Sequence, residues 1–131
     1  VDGGRRALTR FHRECAYGSL SAFAARLFTG RTHQIRVHFS HHGFPLVGDP
    51  VYGEVNRSAR RAREEGSRWL AKHAPEVAKA VSALEEGGRQ FLHAAELGFI
   101  HPATGKAMEF RSELPPDLAA IMLGLEACRT P

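Results

Sequence analysis

Thr29-Gly30-Arg31-Thr32-His33-Gln34-Ile35-Arg36-Val37-His38 packs a glycine turn, a helix-start residue, two arginines and two histidines into ten residues. Its continuation, Phe39-Ser40-His41-His42-Gly43-Phe44-Pro45, decides the local fold. Thr32 is a good N-cap, Gly43 suits the position just past a helix, and Pro45 cannot continue one. The signals predict a short helix over 32–42. On a helix Ile35, Arg36 and Phe39 share one side, whereas a strand would scatter the charged groups over two faces. Arg31 and Thr32 then precede the first turn, where unpaired N–H groups and the helix dipole favour an anion. So dense a polar set around one Ile-Arg pair fills a core poorly. It points to a site for an anionic substrate.

Outward from this stretch, 6–14 and 20–29 read as strands joined at Tyr17-Gly18-Ser19. In the second, Phe23, Ala25 and Leu27 alternate against Ala24, Arg26 and Phe28. Residues 44–53 (FPLVGDPVYG) form a turn-rich loop with a short strand, tied down by apolar side chains. From 54 to 88 the composition shifts to Arg, Ala, Glu and Lys. Two helices are expected there, one ending at His73 and one running from Pro75 at its first position to Glu86, closed by Gly87-Gly88. That segment reads as a helical insertion. Residues 89–100 turn apolar again, 101–106 form a turn, and 107–114 alternate Met108, Phe110 and Ser112 against Glu109, Arg111 and Glu113, a second hairpin. Pro116 opens a last helix with Leu118, Ile121, Met122 and Leu125 on one stripe. The expected architecture is one α+β domain, a mixed, mostly antiparallel sheet with flanking helices.

At 131 residues, 43% hydrophobic and 24% charged, the chain is an ordinary single domain. No apolar run approaches the ~20 residues that span a bilayer, so no membrane partner is expected. Cys15 and Cys128 have no CxxC spacing and no secretory signal accompanies them, which fits a reducing, cytoplasmic location. The opening Val1-Asp2-Gly3-Gly4 reads as the interior of a longer protein or as the end of a trimmed one. Net charge is +4, with arginines and lysines clustered between Arg57 and Lys79. The cluster suits phosphate contacts, and equally a solvated helical face.

The phrases TGRTHQIRVHFSHHGFPLVGDPVYG (29–53) and LHAAELGFIHPATGKAMEFRSELPPDL (92–118) resemble the RluA-type family of RNA pseudouridine synthases. The resemblance implies a sheet in two halves around an RNA-binding cleft. It also implies cleavage of the uridine glycosidic bond, rotation of the base and rejoining through carbon, without metal or organic cofactor. In that family the essential aspartate sits in a His-Arg-Leu-Asp motif. This sequence has no such motif, so the chain is expected to be the C-terminal part of the catalytic domain (residues 1–131 a single partial domain, 54–88 an insertion) and inactive alone. His12-Arg13-Glu14 is a decoy on a strand, Asp49 is expected to form a turn and Asp117 to open the last helix.

By the resemblance, Arg36 faces the catalytic aspartate that this sequence lacks; a guanidinium stays charged and holds a carboxylate ionised. Ile35 would offer an apolar surface to a flipped uracil, or fill the core. Arg31, Thr32 and Gln34 bind backbone phosphates or brace the loop, while His33 and His38 orient groups through hydrogen bonds. The expected partner is RNA, ribosomal by family habit. The alternative is a non-catalytic RNA-binding module. His38 and His42 at i, i+4 also suggest a zinc pair, but no third ligand stands near, so no metal is expected. Trp69 stacks on a base or packs a helix.

Overall fold

The computed structural model describes residues 7–29 and 33–129. The order is β1 (Thr9–Tyr17), β2 (Leu20–Leu27), α1 (Gln34–His41), α2 (Arg57–His73), α3 (Pro75–Glu86), β3 (Glu96–Ile100), β4 (Ala107–Arg111) and α4 (Pro116–Glu126). The α+β class holds. The strands, however, form two separate two-stranded antiparallel sheets, β1–β2 and β3–β4, and no mixed sheet is present among the described residues.

β1 runs three residues beyond the expected 6–14, because the connection is a two-residue turn, Gly18-Ser19, with Tyr17 paired to Leu20. A bulge between Arg13 and Cys15 absorbs the change of register. Gly18 has φ +61, and a Cβ there would overlap the indole of Trp69. Glycine is thus required twice over, by conformation and by the close approach of α2. Of the two readings of Trp69, helix packing is the one the geometry realises.

Both expected glycine stops terminate helices as the sequence signals. Gly43 donates to the Ser40 carbonyl and Phe44 to that of Phe39, while Gly88 donates to Glu85 and Arg89 to Leu84. These paired bonds satisfy carbonyls that the helix end would otherwise strand. At the start of α2, the Asn56 side chain accepts from the Ala59 amide at 2.8 Å. Pro75 opens α3 directly after the Ala74 junction.

The core consists of Tyr17, Leu70, Ala74, Val77, Val81, Leu84, Leu118, Ile121 and Leu125. Five of these come from α2, the junction and α3. The 54–88 segment is therefore integral to the packing, with α4 laid against it through the stripe that begins at Leu118. No strand forms within 44–53; instead Phe91 donates to the Val47 carbonyl at 2.7 Å and Asp49 to Leu46 at 3.1 Å. Two prolines and two glycines in ten residues deny that loop a ladder partner.

Candidate functional site

α1 is the short helix the sequence predicts, but its N-cap differs. His33 holds that position in the left-handed region, φ 50, and its side chain makes no capping hydrogen bond among the described residues. Thr32, the expected cap, and Arg31 lie outside the described residues, as do residues 1–6.

Arg36 is buried. Its Nε donates to Asp49 Oδ2 at 2.9 Å and its Nη2 to Asp49 Oδ1 at 2.7 Å, a two-pronged pair with both side chains almost fully enclosed. Asp49 Oδ1 also accepts from the backbone amides of Val51 and Tyr52, each at 3.0 Å. Asp49 thus makes the expected turn and does a second job that the sequence reading missed. Arg36 was expected to await an acid from outside this sequence; the structure gives it one from within, thirteen residues downstream. Burial alone would raise the Asp49 carboxyl, yet the hydrogen bonds from Arg36 and from the Tyr52 and Val51 amides outweigh it and hold the group below its usual range. The same bond to Asp49 raises Arg36 against the opposing effect of burial. Both groups stay ionised.

The pair leaves one guanidinium edge unused. Nη1 has no hydrogen-bond partner among the described residues. The Arg36 side chain keeps 9% of its surface exposed. The guanidinium carbon lies 5.1 Å from the Tyr52 ring centroid. The Tyr52 hydroxyl lies 3.2 Å from His33 Nδ1, and the two rings meet edge to face at 5.7 Å. Tyr52 belongs to the site and was missed. Its signal was the aromatic two residues past the Gly48-Asp49-Pro50 turn, which fixes its backbone.

Gln34 is a brace. Buried at 4% exposure, it donates from Nε2 to the Leu8 carbonyl and the Thr9 hydroxyl, both at 2.9 Å, and accepts from Thr29 Oγ1 at 2.6 Å. The Leu8 amide closes the ring by donating to Thr29 Oγ1. His38 Nδ1 sits 2.9 Å from the Thr9 hydroxyl. One helix is thereby bolted to both ends of the first hairpin. Ile35 is half-buried, and Phe39 meets Phe11 and Phe23 at ring-centroid distances of 5.1 and 5.5 Å. No group of three or more His, Cys, Asp or Glu suited to a metal occurs among the described residues. His93 and His101 serve local bonds, to the Ser112 carbonyl and to the Ala103 and Thr104 amides.

The arrangement thus consists of a permanently charged, preorganised guanidinium with one free edge, next to a tyrosine and a histidine. No family model matches the chain. Curated relatives do. An uncharacterized RNA pseudouridine synthase of Chloroflexus aurantiacus is 40% identical over 126 residues, 96% of this chain and 32% of that protein. The ribosomal large subunit pseudouridine synthase D of Pseudomonas aeruginosa is 42% identical over 117 residues, covering 89% and 32% respectively. That of Zymomonas mobilis is 41% identical over 115 residues, covering 88% and 30%. The chain belongs to the RNA pseudouridine synthase family, of the RluA type. It spans about a third of the length of the curated relatives it matches.

Proposed function

We propose that the protein is an RNA pseudouridine synthase acting on structured, ribosomal RNA in the cytoplasm, and that this chain is the C-terminal, catalytically incomplete part of its catalytic domain. The observation that carries the reading is the buried Arg36–Asp49 pair with its free Nη1 edge, inside a stretch about 40% identical to named pseudouridine synthases. Asp49 is no nucleophile. Both its oxygens are occupied, by two guanidinium bonds and two amides, and it is 2% exposed. In this reading the reacting aspartate comes from elsewhere in the protein. A carboxylate meeting Nη1 would be kept ionised by the guanidinium, while Asp49 holds that guanidinium still. Ile35 and Tyr52 supply apolar surface beside it for an extruded uracil, helping to offset the few kcal/mol that unstacking costs.

The test is a map of pseudouridines in ribosomal RNA, made by pseudouridine-specific chemical labelling with and without the gene. Loss of one or more sites, restored by the wild-type gene and not by Arg36→Ala, is the expected result. An unchanged map overturns the substrate. Conversion of ribosomal RNA by this chain alone overturns its incompleteness.

A further inference from the structure

Away from Arg36, the turn that follows α1, the β1–β2 turn and the first turns of α2 line an open groove. Its lining is Ser19, Gly43, Phe44, Ser58, Arg61, Ala62 and Glu65. Phe44 stands in it with 64% of its surface exposed, just past the turn that ends α1. The walls are fixed. Gly18, beside Ser19, packs on Trp69; a Cβ at Gly43 would lie 3.1 Å from Ser58 Cβ; and Asn56 Nδ2 donates to the Ser40 carbonyl at 3.2 Å.

Arg61 and Glu65 are the charged residues of that lining, but the helix that forms the wall is lopsided in charge along its length. α2 carries six arginines and lysines against Glu64 and Glu65, an excess of four that equals the net charge of the whole chain. Arg57, Arg61, Arg68 and Lys72 recur along one face, a row about 22 Å long at 1.5 Å per residue. Glu64 and Glu65 interrupt it. Glu65 lies 3.4 Å from Arg61, with both side chains largely exposed, so that pair is weak and exchangeable. Arg57, Arg68 and Lys72 have no acid partner among the described residues.

We propose that this groove is a second RNA contact, distinct from the Arg36 cluster: an unpaired base seats on the Phe44 ring while flanking phosphates lie along Arg57, Arg61, Arg68 and Lys72. An exposed aromatic next to a cationic row is the combination that binds single strands, since every base has a face to stack and every linkage a charge to neutralise. A peptide partner of matching charge would need an acidic row and would gain little from an isolated ring. The identity of the polymer rests on the proposed function; the geometry of the seat does not.

The test is fluorescence anisotropy on the protein with a labelled oligouridylate about a dozen nucleotides long and an RNA duplex of the same length. Phe44→Ala and Phe44→Leu are expected to weaken the single strand about tenfold and leave the duplex unchanged, with Phe44→Trp restoring binding. Replacing Arg57 and Arg68 by Gln should flatten the salt dependence of single-strand binding by about 0.7 in log-log slope each. Unaltered affinity in the Phe44 variants overturns the base seat, and so does an absence of wild-type binding at low salt. If Phe44→Ala also lowers the melting temperature by several degrees, a protein segment fills the groove and the proposal fails. None of these readouts uses pseudouridine formation. Loss of the modification map therefore leaves this inference standing, and loss of the Phe44 effect leaves the enzymatic reading standing.

Discussion

Two hairpins of the same kind meet different fates in this molecule. β1–β2 and β3–β4 are both antiparallel pairs with apolar alternation, and each turn contains a glycine at positive φ, Gly18 at 61° and Gly105 at 70°. The first is built in. Gln34 and His38 bond it to α1, Phe39 covers Phe11 and Phe23, Tyr17 enters the core, and Gly18 lies on Trp69. The second puts Leu97, Phe99, Met108 and Phe110 on one face, yet all but Met108 are counted among its exposed residues, and Phe99 and Phe110 stack on each other. Apart from its chain neighbours, no described residue lies within 4 Å of where a Cβ at Gly105 would stand. Alternation shows that a strand has an apolar face. It does not show what covers that face.

The comparison can be broken hardest at the Arg36–Asp49 pair, next to the anchored hairpin. Asp49→Ala leaves a buried guanidinium uncompensated and should cost about 3–5 kcal/mol in urea denaturation. Removing the corresponding surface pair of the exposed hairpin, Arg111 with Glu96 at 3.8 Å, should leave the midpoint unmoved. A small effect at Asp49 would mean that the pair is not the clamp described.

Core against exposed apolar face comes next. Leu118→Ala, at a fully buried position, should lose about 2–5 kcal/mol, and Phe110→Ala less than about 1 kcal/mol. Equal losses would mean that something covers the second hairpin in solution.

The two turn glycines isolate the third contrast. Gly105→Ala meets only backbone strain, on the order of 1 kcal/mol. Gly18→Ala meets the same strain and the Trp69 indole, and should cost more, up to about 3 kcal/mol. Trimming the indole with Trp69→Leu should bring the two penalties together, as read from paired thermal melts.

The gentlest probe is pH. Asp49 titrates lower folded than unfolded, so its contribution is present above the unfolded carboxylate value near ~4 and is lost as pH falls through the lower folded value. Tyr17 runs the other way. Burial chiefly, helped by Cys15 and Glu126, pushes it up to about 12. Its contribution is therefore full below the unfolded value near ~10 and is lost as pH rises through the folded one. Asp49→Asn should flatten the acid limb of a melting-temperature profile and Tyr17→Phe the alkaline limb, each without altering the other.

Much of this was legible in the chain. The helix stops at Gly43 and Gly87-Gly88, the Pro75 and Pro116 starts, the Leu118 stripe and both hairpins follow from local chemistry acting over a few residues. The segment 54–88 was less legible, because an Arg- and Glu-rich stretch looks peripheral until its Leu70, Val77, Val81 and Leu84 are seen facing α4 and Tyr17. The site was legible in part. Arg36 stood out by residue type, and the partnership with Asp49 stayed hidden, since a turn-forming aspartate satisfies every local rule without a guanidinium.

Sequence by itself determined which helices and hairpins form, that Gly43 and Gly87-Gly88 stop helices and that Pro75 and Pro116 start them, because caps, turns and periodicity act through neighbouring residues. Only tertiary structure decided that Gln34 braces the first hairpin, that Asp49 fixes Arg36 with one edge free, and that the second hairpin keeps an apolar face exposed. Those outcomes depend on side chains brought together from distant positions, and on which surfaces lose water when they meet.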